Sequence, residues 1–405
     1  MNLLALGKSG GSGEVFDIEG NPGHVAKIYH AAIPPAQLAR YERKVRWMIN
    51  NRPGLPAIPP QYRGIVQLAW PVAQVQRGSR FAGFVMEKID FDRTMELDYL
   101  LTRRQAAGEG FEADFGKLLT VCHNLASLID SLHGKRIAVV DLKPVNLKVY
   151  KSELYVSILD CDGFCIYSDN FVSEAPQVTP EYLAPEFHER AVTQPEAQDR
   201  FALATIIFRL LNYGIHPYSG VATGRQAYPE ELAGRIRLGL YPYARFAHRG
   251  VRAAPASVHE TFPDAMRELF DRAFGAAAGG RASAREWAAL LSGFASRNSA
   301  FLSRCRAGHL QFAGKSCPSC LRDSIIQGHV ERRRRFVTRL QASPAKAYTY
   351  VRRTLKGTRP SPFQAGLAQG HFNLQMAPVT MSIRNVVSVE ILWTVGLLVT
   401  YWWLK

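Results

Sequence analysis

With 405 residues, 47% of them hydrophobic, the chain is long enough to bury a sizeable core plus a further module, and its composition excludes global disorder. The formal net charge of +16 is unevenly spread: residues 301–405 hold 16 Lys/Arg against 3 Asp/Glu, while the first 300 hold 34 against 31. A polyanionic partner, nucleic acid or anionic membrane, is therefore a question for the tail and not for the nearly neutral front part.

Taken in chain order, the first informative segment is Leu6-Gly7-Lys8-Ser9-Gly10-Gly11-Ser12-Gly13-Glu14-Val15-Phe16, a glycine-rich turn between apolar runs. Such a turn lets backbone approach phosphates without Cβ clashes, though alone it reads equally well as a plain hairpin. Val25-Ala26-Lys27-Ile28-Tyr29 follows as a strand. Ala36–Asn50 lacks Gly and Pro and reads as a helix, with Glu42 its acidic residue. A solvated surface carboxylate is the bland reading of Glu42. Gly83-Phe84-Val85-Met86-Glu87-Lys88-Ile89 is a further strand. Asp141-Leu142-Lys143-Pro144-Val145-Asn146 then puts a carboxylate, an ammonium and a carboxamide on one short loop. Asp160-Cys161-Asp162-Gly163-Phe164 adds carboxylates just after the apolar run Val156–Leu159. Together these are the groups needed to hold Mg²⁺–ATP and to orient a hydroxyl for phosphoryl transfer.

In this order and spacing the segments resemble the eukaryotic-like serine/threonine protein kinases of bacterial type, over residues 1–295. The resemblance implies an α+β, two-lobed protein-kinase-like fold, with an N-lobe over 1–89 and a C-lobe over 90–297. It also implies roles. Gly10, Gly11, Gly13 and Val15 would cover the nucleotide, Lys27 would contact its α- and β-phosphates, and Glu42 would orient Lys27 through an ion pair. Met86 would sit behind the adenine, whose edge would meet the Glu87 carbonyl and the Ile89 N–H. Asp141 would accept or orient the substrate hydroxyl's proton, and Lys143 would neutralise charge on the transferred group. Asn146 and Asp160 would hold Mg²⁺ or Mn²⁺. Thr179, opening Thr179-Pro180-Glu181-Tyr182-Leu183-Ala184-Pro185-Glu186, would bond Asp141 and Lys143. Asp199 would tie the catalytic loop to a buried helix over Phe201–Leu211, and Arg281 would pair with Glu186.

There are departures from the family pattern. One residue is inserted near Ser9, so Gly7 need not match the first family glycine. Cys161 and Asp162 stand where the family has Phe and Gly, and Asp162 competes with Asp160 for the metal; the register after Leu159 favours Asp160. Ala138-Val139-Val140 precedes Asp141 where many kinases have His-Arg. Without that arginine, activation by loop phosphorylation is not expected. The same gap keeps an alternative open: a pseudokinase scaffold that recruits partners through a zinc ribbon and the basic tail. Lys143 and Thr179–Glu186 favour protein over small-molecule substrates.

The tail carries a separate constellation. Cys305-Arg306-Ala307-Gly308-His309 and Cys317-Pro318-Ser319-Cys320 offer a Cys₃His set for structural Zn²⁺, resembling a small zinc ribbon over 301–324. A redox pair at Cys317/Cys320 or free thiols are the bland alternatives. Cys122, Cys161 and Cys165 read as buried thiols. Residues 325–385 read as a basic linker, with one short helix around Ala345–Leu355. Val386–Leu404 is an apolar stretch containing Trp393, Tyr401, Trp402 and Trp403, a candidate transmembrane helix interrupted by Glu390. The Arg332–Arg335 run and Arg352, Arg353 and Arg384 before it favour a cytoplasmic kinase part and anionic lipid as the tail's partner, with nucleic acid not expected. Asn2–Leu6 is too short for a signal core.

Overall fold

The computed structural model describes residues 2–9, 11–173, 178–224, 228–245, 250–275, 278–295 and 299–341. Two units result, Met1–Asp323 and Ser324–Lys405.

The first unit begins with a five-stranded antiparallel sheet: β1 (Leu3–Ser9), β2 (Gly13–Ile18), β3 (His24–Tyr29), β4 (Pro71–Arg77) and β5 (Arg80–Glu87), in the order β1-β2-β3-β5-β4. Helix α1 (Pro35–Asn50) lies between β3 and β4 in sequence, with proline at its first position, where the missing N–H costs nothing. Leu38, Tyr41, Val45 and Met48 fall at helical spacing, and this stripe packs against Tyr29, Phe81, Phe84 and the main core.

A helix-rich part follows. Its elements are β6 (Thr94–Glu96), α2 (Arg103–Gly108), α3 (Phe115–His133), β7 (Ile137–Ala138), β8 (Leu147–Tyr150), β9 (Val156–Ile158), β10 (Cys165–Ser168), β11 (Phe171–Ser173), α4 (Pro195–Leu211), β12 (Gly220–Ala222), α5 (Leu232–Arg237), β13 (Val251–Ala253), α6 (Asp264–Gly275) and α7 (Ala284–Ala295). Small sheets β6-β8-β9 and β11-β10-β7 frame the loops between α3 and α4. Asp114 caps α3 by accepting from the Lys117 N–H at 2.9 Å. The α3 residues Leu118, Leu119, Val121, Cys122, Leu125, Leu128, Ile129 and Leu132 are buried, and α4 is buried on nearly every side. The mixed helix-and-sheet expectation is met.

Residues 299–323 do not stand apart from this core. The hairpin β14 (Leu302–Arg304) and β15 (Leu310–Phe312) inserts Phe312 among Phe115, Phe262 and Phe294, with ring centroids 5.2, 6.2 and 5.0 Å away. Phe312 is 1% exposed. Helix α8 (Pro318–Gln341) begins against the same body, where Ser319 bonds Arg103 and Tyr213 and Arg322 donates to the Ala256 carbonyl.

Helix α8 also runs through Gln341, into the stretch expected to be linker. After Pro318, tolerated at the first position, Gly328 is its one helix breaker, and its Arg, Gln and Leu side chains favour helix even without a sustained apolar stripe. Among the described residues no helix is long and apolar enough to cross a membrane. Val386–Leu404, the Ala345–Leu355 stretch, Arg352, Arg353 and Arg384 lie outside the described residues.

Candidate functional site

Strand β3 carries Lys27 into the interior, opposite Val15 on β2 and Phe84 on β5. Glycine is required on both flanks. A Cβ on Gly13 would lie 2.4 Å from the Ile28 carbonyl oxygen, and one on Gly83 would lie 2.0 Å from that of Lys27. Gly11 sits in the turn, while Gly10 lies outside the described residues. Met86 and Glu87 close β5, with Ile89 buried just beyond and the Glu87 carboxylate paired with Arg52.

Lys27 does not pair with Glu42, as the family resemblance implied. Its ammonium lies 2.8 and 3.0 Å from the two Asp162 oxygens and 3.4 Å from Asp160. Glu42 binds Arg46 at 2.7 Å, one turn along α1. The reason is helical phase: the buried face of α1 is set by Lys44, Val45 and Met48, and Glu42 lies off it. The Tyr29 hydroxyl also donates to Asp162, at 3.0 Å. Burial works against the Lys27 ammonium, but Asp162 and then Asp160 outweigh it and hold its pKa above the ordinary value. Burial and the Asp162 charge push the Tyr29 hydroxyl well up, so it remains a donor. Lys44, 3% exposed, comes from α1 to the same place. Burial lowers its amine to about 8, with the Asp162 charge opposing.

The Asp141–Asn146 loop is fixed from below. Asp199 on α4 accepts the Val139 and Val140 N–H groups, each at 2.7 Å, and lies 3.1 Å from a His133 ring nitrogen. These bonds hold Val140 at φ 64°, a left-handed conformation that costs a β-branched residue. Above the loop, Asp141 Oδ1 accepts from the Thr179 hydroxyl at 2.7 Å and its N–H at 2.9 Å. Lys143 Nζ lies 2.7 Å from Asp141 Oδ2 and 2.9 Å from Thr179 Oγ1. Asp141, Lys143 and Thr179 thus form a closed triangle of charge-assisted bonds. Asn146 Nδ2 donates to the Asp141 carbonyl at 3.3 Å, and its own carbonyl receives the Leu159 N–H. That second bond ties the loop to the end of β9 just before Asp160. Asp160 also has a left-handed backbone, φ 52°, and its side chain is 67% exposed.

Two further groups brace this region. Arg281 and Glu186 form a bidentate pair at 2.5 and 2.7 Å. Burial works against the Glu186 carboxylate, but Arg281 overrides it and lowers its pKa. Gln198, fully buried, donates to the Val140 and Tyr182 carbonyls and accepts the Ala184 N–H. Sequence reasoning missed Gln198, Tyr29 and Lys44. The available signal for Gln198 was a carboxamide next to Asp199 in an otherwise apolar helix; for Lys44 it was a cation in phase with Val45 and Met48.

A second site is built by the tail. Cys305 and His309 flank the hairpin turn, while Cys317 and Cys320 lie at the N-terminus of α8, so the second half of the set is a helix turn and not another hairpin. The four ligand atoms all fall within 4.8 Å of one another. Cys305 Sγ to Cys320 Sγ is 3.7 Å and His309 Nδ1 to Cys320 Sγ is 3.4 Å. A tetrahedron with ~2.3 Å Zn–S bonds has edges of about 3.8 Å. The set therefore fits a four-coordinate metal ion and could hold zinc.

No protein-family model matches the chain. The chain is 30% identical over 332 residues to "Protein kinase YegI" of Escherichia coli (strain K12), covering 79% of this chain and 48% of that protein. To the protein of the same name from Escherichia coli O157:H7 it is 29% identical over 296 residues, 71% of this chain and 43% of the relative. The likeness supports a protein-kinase family. The chain spans about half the length of the curated relatives it matches.

Proposed function

We propose that the chain is a serine/threonine protein kinase of two lobes, transferring the γ-phosphate of ATP to protein hydroxyls. The observation that carries this reading is the Asp141–Lys143–Thr179 triangle, built on a loop that Asp199 and Asn146 hold rigid. A bound Mg²⁺ would supply charge neutralisation at the phosphates, and the donor set fits it: exposed Asp160 and the Asn146 carboxamide offer hard oxygens. Lys27 holds the α- and β-phosphates. Asp141 takes or orients the hydroxyl proton, and Lys143 sits beside it to offset charge on the group in transfer. Thr179 joins both to the segment ending at Glu186, which the Arg281 pair anchors. The Cys₃His set takes structural Zn²⁺ as a closed site with no open position.

The remaining parts of the proposal rest on sequence alone. Val386–Leu404 tethers the chain to a membrane with the kinase part on the cytoplasmic side, and the basic stretch before it meets anionic lipid.

The test is transfer of labelled γ-phosphate by the full chain to itself and to a generic Ser/Thr substrate. Asp141→Ala is expected to lower the rate by about 10²–10⁴-fold, and Asp160→Asn to raise the Mg²⁺ requirement. Nucleotide binding without transfer in the folded wild type would favour the pseudokinase scaffold instead.

A further inference from the structure

We propose that Asp162, and not Glu42, is the residue that positions Lys27, which leaves Asp160 alone as the metal carboxylate of the turn. This deepens the kinase reading and rests on it.

Three observations carry the assignment. First, most of the Asp162 lone pairs are taken. Lys27 engages both oxygens and Tyr29 engages one, so three of roughly four acceptor sites are filled. Second, the two carboxylates differ in access. Asp162 is 8% exposed, whereas the Asp160 side chain is 67% exposed. A magnesium ion that keeps several of its waters needs the open one. Third, the surrounding charge is wrong for a cation at Asp162. The Lys27 ammonium from β3 already spans both Asp162 oxygens, and α1 buries a second cation, Lys44, whose amine feels the Asp162 charge.

Helix α1 cannot deliver Glu42 without giving up its own packing. Tyr41 stacks on Tyr29 with ring centroids 4.8 Å apart, and the Trp70 indole N–H donates to the Met48 carbonyl at 2.9 Å. Turning α1 to aim Glu42 at Lys27 would withdraw Val45 and Met48 from the core. The side chain that α1 does present there is a cation. Lys27 is consequently held by the same short turn that carries Asp160, so one element sets both the phosphate-binding amine and the metal carboxylate.

The experiment compares the full-length wild type with Glu42→Gln, Asp162→Asn, Lys27→Met and the double variant Lys27→Met/Asp162→Asn. Each is measured for phosphate transfer at varied ATP and Mg²⁺, and for affinity toward a non-hydrolysable ATP analogue by titration calorimetry. Glu42→Gln is expected to stay within about twofold of wild type. Asp162→Asn is expected to lower kcat/KM for ATP by about 10²-fold, the scale of a misplaced positioning group, with its Mg²⁺ requirement unchanged. In the Lys27→Met background Asp162→Asn should cost nothing more in nucleotide affinity, a non-additivity that general destabilisation would not produce. Should Asp162→Asn fail to fold, Tyr29→Phe removes one bond to Asp162 at almost constant volume and is expected to lower kcat/KM by about fivefold.

A loss in Glu42→Gln equal to that in Asp162→Asn, a raised Mg²⁺ requirement in Asp162→Asn, full additivity with Lys27→Met, or an unchanged Tyr29→Phe would each overturn the assignment. If the folded wild type transfers phosphate and Asp141→Ala does not, those outcomes count against Asp162 alone. A folded wild type that binds no nucleotide sinks the kinase reading and this assignment with it.

Discussion

Replacing Lys44 with methionine should make the protein more stable, although it deletes a charge beside an aspartate. Lys44 is 3% exposed, and its amine is lowered from 10.5 to about 8 by burial. At ~1.36 kcal/mol per pH unit, that drop corresponds to a penalty on the order of 3 kcal/mol for keeping the folded amine charged at neutral pH. Part of the penalty is already offset by Asp162, which retains Lys27 as its partner when Lys44 is gone. Methionine keeps most of the volume, so packing loss is small. Allowing for relaxation, Lys44→Met is expected to gain about 1–3 kcal/mol at pH 7.

The pH dependence has a definite sign. A lysine whose folded pKa is depressed carries its full penalty below pH 8 and sheds it as pH rises toward 10.5. The gap between variant and wild type should therefore be constant below pH 8 and close between about 8 and 10.5. The groups facing Lys44 are Asp162, Lys27, Cys161 and Cys165. All four are common to both proteins, so the difference reports Lys44. Urea unfolding followed by tryptophan fluorescence at pH 7, 8.5 and 10 gives the midpoints. A variant that is less stable at pH 7, or a gap that does not narrow with pH, would mean that burial does not penalise the Lys44 ammonium.

Arg281→Ala leaves Glu186 half-buried without its bidentate partner and should cost about 3–5 kcal/mol; a urea midpoint shift equivalent to less than 1 kcal/mol would contradict this. Adding a strong chelator should loosen the hairpin of residues 302–312 and lower the melting temperature, with a Cys317→Ser protein insensitive to it; the check is limited proteolysis with and without Zn²⁺. Glu286 is held near pKa 2, first by Arg272 and then by the Ser283 N–H. Its contribution is present above about pH 4.5 and lost as pH falls through about 2. Glu286→Gln should flatten the acid limb of the stability curve over that range, by under about 1 kcal/mol because the pair is exposed.

What could be read from the sequence was whatever depends on spacing along a loop. Asp141, Lys143 and Asn146 sit within six residues, so the loop itself keeps them close; Thr179, 38 residues from Asp141, and the Glu186–Arg281 pair, 95 apart, were expected only through the family resemblance. Glu42 failed because a helix selects by angle as well as by distance. Its neighbours Tyr41, Val45 and Met48 already defined the inward face, and choosing the nearest acid ignored that phase. The Lys27–Asp162 pair was hidden for another reason: it joins residues 135 apart, and both members had other roles open to them. Gln198 shows the same difficulty, since a buried carboxamide looks like any polar residue until the carbonyls it meets are placed. The reach of α8 was missed because a helix that is polar on every side has no stripe to read.

The aromatic knot around Phe312 changes where this molecule can be cut. A fragment stopped at residue 297 would end at a natural-looking boundary in sequence, yet it would strip the cover from Phe115, Phe262 and Phe294. Such a fragment should clump or bind chaperones, and its inactivity would say nothing about the intact chain. The cysteine-bearing hairpin is in effect a cap on the helical body, so oxidation of its three thiols should be felt first in the packing of Phe312.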